Sequence, residues 1–211
     1  MSAKHNSQRF RRFIAAFTQL AERASNDEKR IHDEGKALLA GIVRNDDWLP
    51  ESCAQPHPEF YQQYLLHCDP LERFSVVSFV WGPGQKTPVH NHTVWGILGV
   101  MRGAELCNRF DVPAVNNAGK PGLPMRMHPQ ERLNLGEIDI VSPSVGDIHR
   151  VENAHTDQVS ISIHVYGANI GAVKRHIFDS ATGARKDFVS GYSNSTVPNF
   201  WDRSLEVRAT L

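Results

Sequence analysis

Apolar residues recur at three- and four-residue steps across residues 7–44. Phe10, Phe13, Ile14, Phe17, Leu20 and Ala21 form one set, and Ile31, Leu38, Leu39, Ile42 and Val43 a second. That period builds one apolar face on each of two helices. The polar run Ser25-Asn26-Asp27 separates them, with Asp27 placed to cap the second. Both helices are expected to cover a sheet rather than carry chemistry. Pro50, Pro56 and Pro58 then mark an irregular connection. Beyond it the pattern shortens to runs of Val, Ile, Phe and Tyr bounded by Gly, Pro, Asn and Asp. These predict strands at 60–67, 73–81, 94–102, 104–110, 132–135, 138–141, 149–153 and 159–166. Residues 116–124 (NNAGKPGLP) read as a loop, and residues 178–191 as a final hairpin turning at Thr182-Gly183. Short strands at regular spacing argue for a β-sandwich or barrel.

Composition narrows the class without naming a function. Across 211 residues, 40% are hydrophobic and 22% charged, the balance of an ordinary globular chain. Lysine plus arginine and aspartate plus glutamate stand at 23 each, and no basic stripe supports nucleic-acid binding. The apolar runs are too short to span a bilayer, and the basic N-terminus leads into no signal-peptide core. A cytoplasmic location is therefore expected, with no membrane or nucleic-acid partner. Cys53, Cys68 and Cys107 are widely spaced and form no Cys-x-x-Cys pair, so packing is the expected role of each. The oligomeric state is not legible.

The chemistry concentrates in three places. In residues 84–103 (GQKTPVHNHTVWGILGVMRG), His90 and His92 lie two apart, which on a strand aims both imidazoles at one face. Imidazole is the commonest metal ligand at neutral pH. A second segment, PSVGDIHRVEN, supplies Gly146, His149 and Asn153. The third, SISIHVYG, places Ser162, His164 and Tyr166 on one strand face and Ile161, Ile163 and Val165 on the other.

The first two segments resemble the paired motifs of the cupin superfamily. Gly84, His90, His92 and Gly103 match the first motif; Pro143, Gly146, His149 and Asn153 match the second, with one extra residue between proline and glycine. At the usual position of the metal-binding glutamate stands Gly96. A three-histidine set with no carboxylate resembles the thiol dioxygenases, the group that includes cysteine dioxygenase, and the Ser-x-His-x-Tyr row is similar to theirs. Without the glutamate at 96, the resemblance implies room at the metal for a substrate that arrives as an anionic ligand. Gly96 also cannot form the cysteine–tyrosine cross-link of some members, so the likeness is to the bacterial branch. The resemblance covers roughly residues 60–178.

What the resemblance implies is a mainly β, cupin-type jelly-roll β-barrel with N-terminal helices packed outside. The expected layout is one domain: 1–50 helical, 60–178 the barrel with both motifs, 179–211 a hairpin and tail. It implies Fe(II) on His90, His92 and His149, although zinc would suit the same histidines. A small thiol and dioxygen would react to a sulfinate. Tyr166 would hydrogen-bond substrate or oxygen, His164 would orient Tyr166, and Ser162 would fix the histidine tautomer. Arg175 matches the arginine with which 3-mercaptopropionate dioxygenases hold the substrate carboxylate. Gln63 stands where animal-type cysteine dioxygenases place an arginine, and a neutral amide lacks the guanidinium's bidentate grip. The pair favours 3-mercaptopropionate over L-cysteine. A cupin isomerase on zinc or manganese and a non-catalytic small-ligand-binding cupin are the competing classes.

Overall fold

The computed structural model describes residues 7–25, 27–112 and 123–211. Helices α1 (Ser7–Ala24) and α2 (Glu28–Val43) lie where the apolar period puts them. The Asp27 carboxylate accepts the Arg30 backbone N–H at 3.0 Å, closing the first turn of α2. Their buried faces carry the residues of the sequence pattern, Phe10, Phe13, Ile14, Phe17 and Leu20 on α1 and Ile31, Leu39, Ile42 and Val43 on α2.

The strands form two antiparallel sheets. In the first, the order is β1 (Gln62–Cys68), β2 (Ser75–Trp81), β10 (Ser160–Tyr166), β4 (Gly96–Arg102) and β8 (Ile138–Val141). In the second it is β12 (Arg185–Phe188), β11 (Arg175–Phe178), β3 (Val89–His90), β9 (His149–Asn153), β5 (Ala104–Asp111) and β6 (Arg126–Met127), with β7 (Glu131–Asn134) also on β5. The two helices cover the outer face of the first sheet. There Phe10, Phe17 and Leu39 join Val76, Val80, Ile97, Ile161, Ile163 and Val165 in one core. The alternate residues of the same strands, Val77, Phe79, Trp81 and Tyr166, face the second sheet and pack with Val151 and Ile170. Pleating thus divides β2 and β10 between a structural core outside and a working interior.

This is a mainly β jelly roll with outer helices. The expected barrel is not closed, however: the described residues form two facing sheets. Consecutive strands β4 and β5 belong to different sheets, and Gly103 between them has φ +68°, a left-handed turn that carries the chain across. Strand boundaries fall within a few residues of the sequence pattern. Two-residue strands β3 and β6 carry too little pattern to be foreseen. The last hairpin starts at Arg175 rather than residue 178, because Lys174-Arg175-His176 reads as loop. Its turn lies at 179–184, where Gly183 N–H donates to Asp179 O at 2.7 Å. A short helix, α3 (Ser204–Arg208), ends the tail. Of the expected loop at 116–124, residues 116–122 lie outside the described residues; Leu123 and Pro124 belong to no helix or strand. Among the described residues no helix is long and apolar enough to cross a membrane.

Candidate metal centre and active site

His90 and His149 are cross-strand partners in the β3–β9 ladder, so register alone sets them side by side. His92 is not on that strand. β3 ends at His90, and His92 sits in the turn that follows, where Thr93 adopts φ +61°. The convergence read as strand alternation is made instead by Asp147. Its carboxylate accepts the backbone N–H groups of His92 and Thr93, both at 2.9 Å, and the His92 ring nitrogen Nδ1 at 3.0 Å. The three imidazole centroids then stand 4.9 Å apart in every pair. One ligand nitrogen from each lies within 4.8 Å of the others.

Each Nδ1 is already engaged. That of His90 meets Pro88 O at 3.0 Å, that of His92 meets Asp147, and that of His149 faces Cys107 Sγ at 3.5 Å. The partners of His90 and His92 are oxygens that only accept, so there Nδ1 carries the proton and the Nε2 lone pair is left for a metal; at His149 the thiol can donate or accept. Burial, with the mutual proximity of the rings, holds His90 and His149 well below the ordinary histidine value; burial also lowers His92, against the pull of Asp147. Neutral imidazole is the ligating form. His92 Nε2 is sealed from solvent and has no hydrogen-bond partner, a costly state that a metal relieves. The residues fit a divalent ion. Three neutral nitrogens with no carboxylate would leave its charge intact and its remaining positions free.

Gly96, at the place of the missing carboxylate, lies against Tyr166. A Cβ there would stand 2.9 Å from Cδ1 and Cε1 of the Tyr166 ring and 2.9 Å from Val141 Cγ2. The space that a side chain at 96 would take is occupied by the Tyr166 ring, and position 96 adds no fourth ligand beside the three imidazoles. Tyr166 stacks on His92, centroids 5.4 Å apart, and its hydroxyl lies 2.8 Å from His164 Nδ1. His164 Nε2 lies 2.7 Å from Ser162 Oγ, which also receives Trp81 Nε1–H at 3.4 Å. The row is continuous along the inner face of β10. Burial keeps His164 neutral and pushes the Tyr166 phenol above its ordinary range.

Arg175 begins β11. His90 pairs with Ile177 in the β11–β3 ladder, so Arg175, two residues before Ile177, shares the face of His90. The guanidinium is 3% exposed, lies 4.8 Å over the Phe188 ring, and donates through Nη2 to Ser190 Oγ at 2.6 Å. Its Nε has no partner, and no carboxylate among the described residues forms an ion pair with it. Gln63 donates to the same Ser190 Oγ at 3.2 Å and to Gly191 O at 3.0 Å. The structure thus brings Arg175 and Gln63 together through a serine that carried no sequence signal. Asp147 also went unnoticed, although its position between Gly146 and His149 inside the second motif was the available clue. Tyr61 is a third addition: it stacks on Trp81 at 4.8 Å, and the positive charge of Arg175 acts on its phenol.

No known protein-family profile matches the chain. Cysteine dioxygenase type 1 of Rattus norvegicus and that of Mus musculus are each 27% identical over 112 residues, 53% of this chain and 52% of theirs. The chain spans about half the length of these curated relatives. Among solved structures, a double-stranded β-helix protein from Klebsiella pneumoniae is 18% identical. It covers 60% of this chain and 94% of its own, with TM-score 0.44. An oxalate oxidase in complex with glycolate is also 18% identical, over 57% of this chain and 58% of its own, with TM-score 0.42. The likeness to solved structures is one of fold alone, and it includes double-stranded β-helix and cupin proteins.

Proposed function

We propose that the chain is an iron(II)-dependent thiol dioxygenase that converts a small mercapto-carboxylate to its sulfinate, with 3-mercaptopropionate as the preferred substrate. The observation that carries this reading is a buried, carboxylate-free guanidinium, Arg175, on the same face as a carboxylate-free histidine triad. A buried cation with no anion is unfavourable unless a ligand supplies one. The positive charge of Arg175 is felt at His90, His92 and Tyr166, where it disfavours protonated imidazole and favours phenolate, which supports the reading that they share one interior.

His90, His92 and His149 would hold the metal through Nε2, with Asp147, Pro88 O and Cys107 fixing the rings. The chemistry iron(II) supplies when bound is stabilisation of the substrate thiolate and its reaction with dioxygen, both atoms ending on sulfur. Arg175 grips the substrate carboxylate, and Ser190 sets the direction of its Nη2. Gln63 fills the neighbouring space without a second positive charge. Tyr166, aimed by His164, offers a hydroxyl to the reacting oxygen or sulfur. Tyr61, Phe79 and Trp81 form the aromatic wall that excludes water.

L-cysteine is the second reading, favoured by the names of the two mammalian relatives. Oxygen uptake by iron(II)-loaded protein with 3-mercaptopropionate, L-cysteine and cysteamine, with the sulfinate product measured, separates the readings. Highest kcat/KM with 3-mercaptopropionate is expected. Highest kcat/KM with cysteine transfers the assignment to that substrate. Absence of thiol-dependent uptake with iron in place overturns the dioxygenase reading and returns the chain to a binding module or another cupin reaction.

A further inference from the structure

One buried acid stands outside every role given so far. Glu105, near the start of β5, is 4% exposed, and its Oε1 is sealed from solvent with no hydrogen-bond partner. Ser162, Trp81 and Ser160 are the polar groups near enough to favour its charged form. Beside it lies a cavity of about 10 Å³ lined in part by Glu105, Ser162, Cys107, Asp139 and His149, space on the order of one water. Glu105 therefore sits behind the end of the Ser162–His164–Tyr166 row that points away from Tyr166.

We propose that Glu105 is the terminal proton-exchanging group of this row, a positioning residue whose protonation state sets whether Tyr166 directs its hydroxyl proton into the active site. The proposal deepens the dioxygenase reading and rests on it for the use of that proton. Trp81 Nε1 can only donate to Ser162 Oγ, and neutral His164 carries one ring proton, so the row has two consistent orders. With Glu105 protonated, it donates to Ser162 directly or through one water. Ser162 then donates to His164 Nε2, His164 Nδ1–H donates to Tyr166, and the phenol proton is free for a substrate atom. With Glu105 ionised, every bond reverses and Tyr166 donates to His164 Nδ1.

Transfer of the Tyr166 proton to a substrate oxygen or sulfur connects the two orders. Tyr166 takes the Nδ1 proton, His164 takes the Ser162 proton at Nε2, and Ser162 takes the Glu105 proton. The acceptor gains one proton, Glu105 loses one, and no other group changes its count. Burial pushes Glu105 up to about 7, where both forms are accessible. The other titratable groups lining the same cavity are Cys107 on β5, Asp139 on β8 paired with Arg109, and His149 on β9, and the charge of Glu105 also acts on Tyr166 on β10.

The test is an infrared pH titration of the metal-loaded full chain, following the carbonyl band of a protonated carboxyl group. A band titrating near pH 7 is expected, absent in Glu105→Gln and shifted in midpoint in Ser162→Ala. The contribution of Asp139, paired with Arg109, should persist in both variants. In turnover, Glu105→Gln should lower kcat roughly tenfold to a hundredfold, flatten the pH profile near neutrality and leave KM in place. An identical band in wild type and Glu105→Gln, or an unmoved midpoint in Ser162→Ala, overturns the proposal. If Glu105→Gln does not fold, the Ser162→Ala midpoint decides it. A wild type without thiol-dependent oxygen uptake defeats the dioxygenase reading, while the carboxyl titration still decides the role of Glu105.

Discussion

Replacing Asp147 by asparagine separates the support of the metal site from the ligands themselves. The carboxylate accepts two backbone N–H groups and one imidazole N–H, at 2.9, 2.9 and 3.0 Å. Asparagine keeps one oxygen. If that oxygen serves His92, the amide NH2 faces the N–H of Thr93, donor against donor, and the residue at φ +61° loses its anchor. One charge-assisted bond is worth about 1.5–3 kcal/mol, and the two that remain are weakened to neutral bonds. A stability loss of about 2–4 kcal/mol follows. At about 2–4 °C per kcal/mol for a chain of this size, Tm should fall by roughly 5–15 °C. Metal affinity depends chiefly on the ring contact, which fixes the His92 tautomer and the direction of Nε2. Loss of such a support costs about 10–100-fold in affinity, or about 1.4–2.7 kcal/mol. Chelator-competition titration of the metal-free protein measures the affinity, and thermal unfolding of the same sample measures stability. Affinity within twofold of wild type, with Tm unchanged, would refute the claim that Asp147 rather than strand geometry brings His92 into the triad.

Arg175→Gln should raise KM for 3-mercaptopropionate on the order of 100-fold, as expected for removing one partner of a buried charge pair, and leave cysteamine turnover unaffected. An equal loss on both substrates would remove the carboxylate contact from its role. The same variant should unfold at no lower temperature than wild type, because a buried cation without an anion is removed. Gly96→Ala should cost about 1–3 kcal/mol by overpacking and displace Tyr166 from His164, so that turnover falls while metal content, measured by elemental analysis, is retained. Asp69 accepts Arg73 through Nε and Nη2, both at 2.8 Å, and this contact holds its carboxyl below the ordinary value. Its contribution is fully present above the unfolded-state pKa of about 3.9 and is lost as pH falls through the lower folded value. Acid unfolding of Arg73→Ala should therefore begin at higher pH than that of wild type.

The sequence determined what depends on short-range periodicity and on residue chemistry. The helix faces of α1 and α2, the Asp27 cap and the alternating faces of β10 follow from steps of three, four and two. The row Ser162, His164 and Tyr166 could be read because all three lie on one strand, where covalent geometry already sets them on one side. His90 and His92 could be chosen as candidate ligands, but their convergence could not be derived, since β3 ends before His92 and a carboxylate 55 residues away shapes the turn. Only the folded chain decides contacts between distant segments. Ser190 joins Gln63 to Arg175 across 127 and 15 residues. Tyr166 fills the space of the side chain that Gly96 lacks. Glu105, one acid among many in the sequence, becomes distinctive through burial beside Ser162. Burial and register are properties of packed sheets, and the same residue types carry neither until the two sheets face each other.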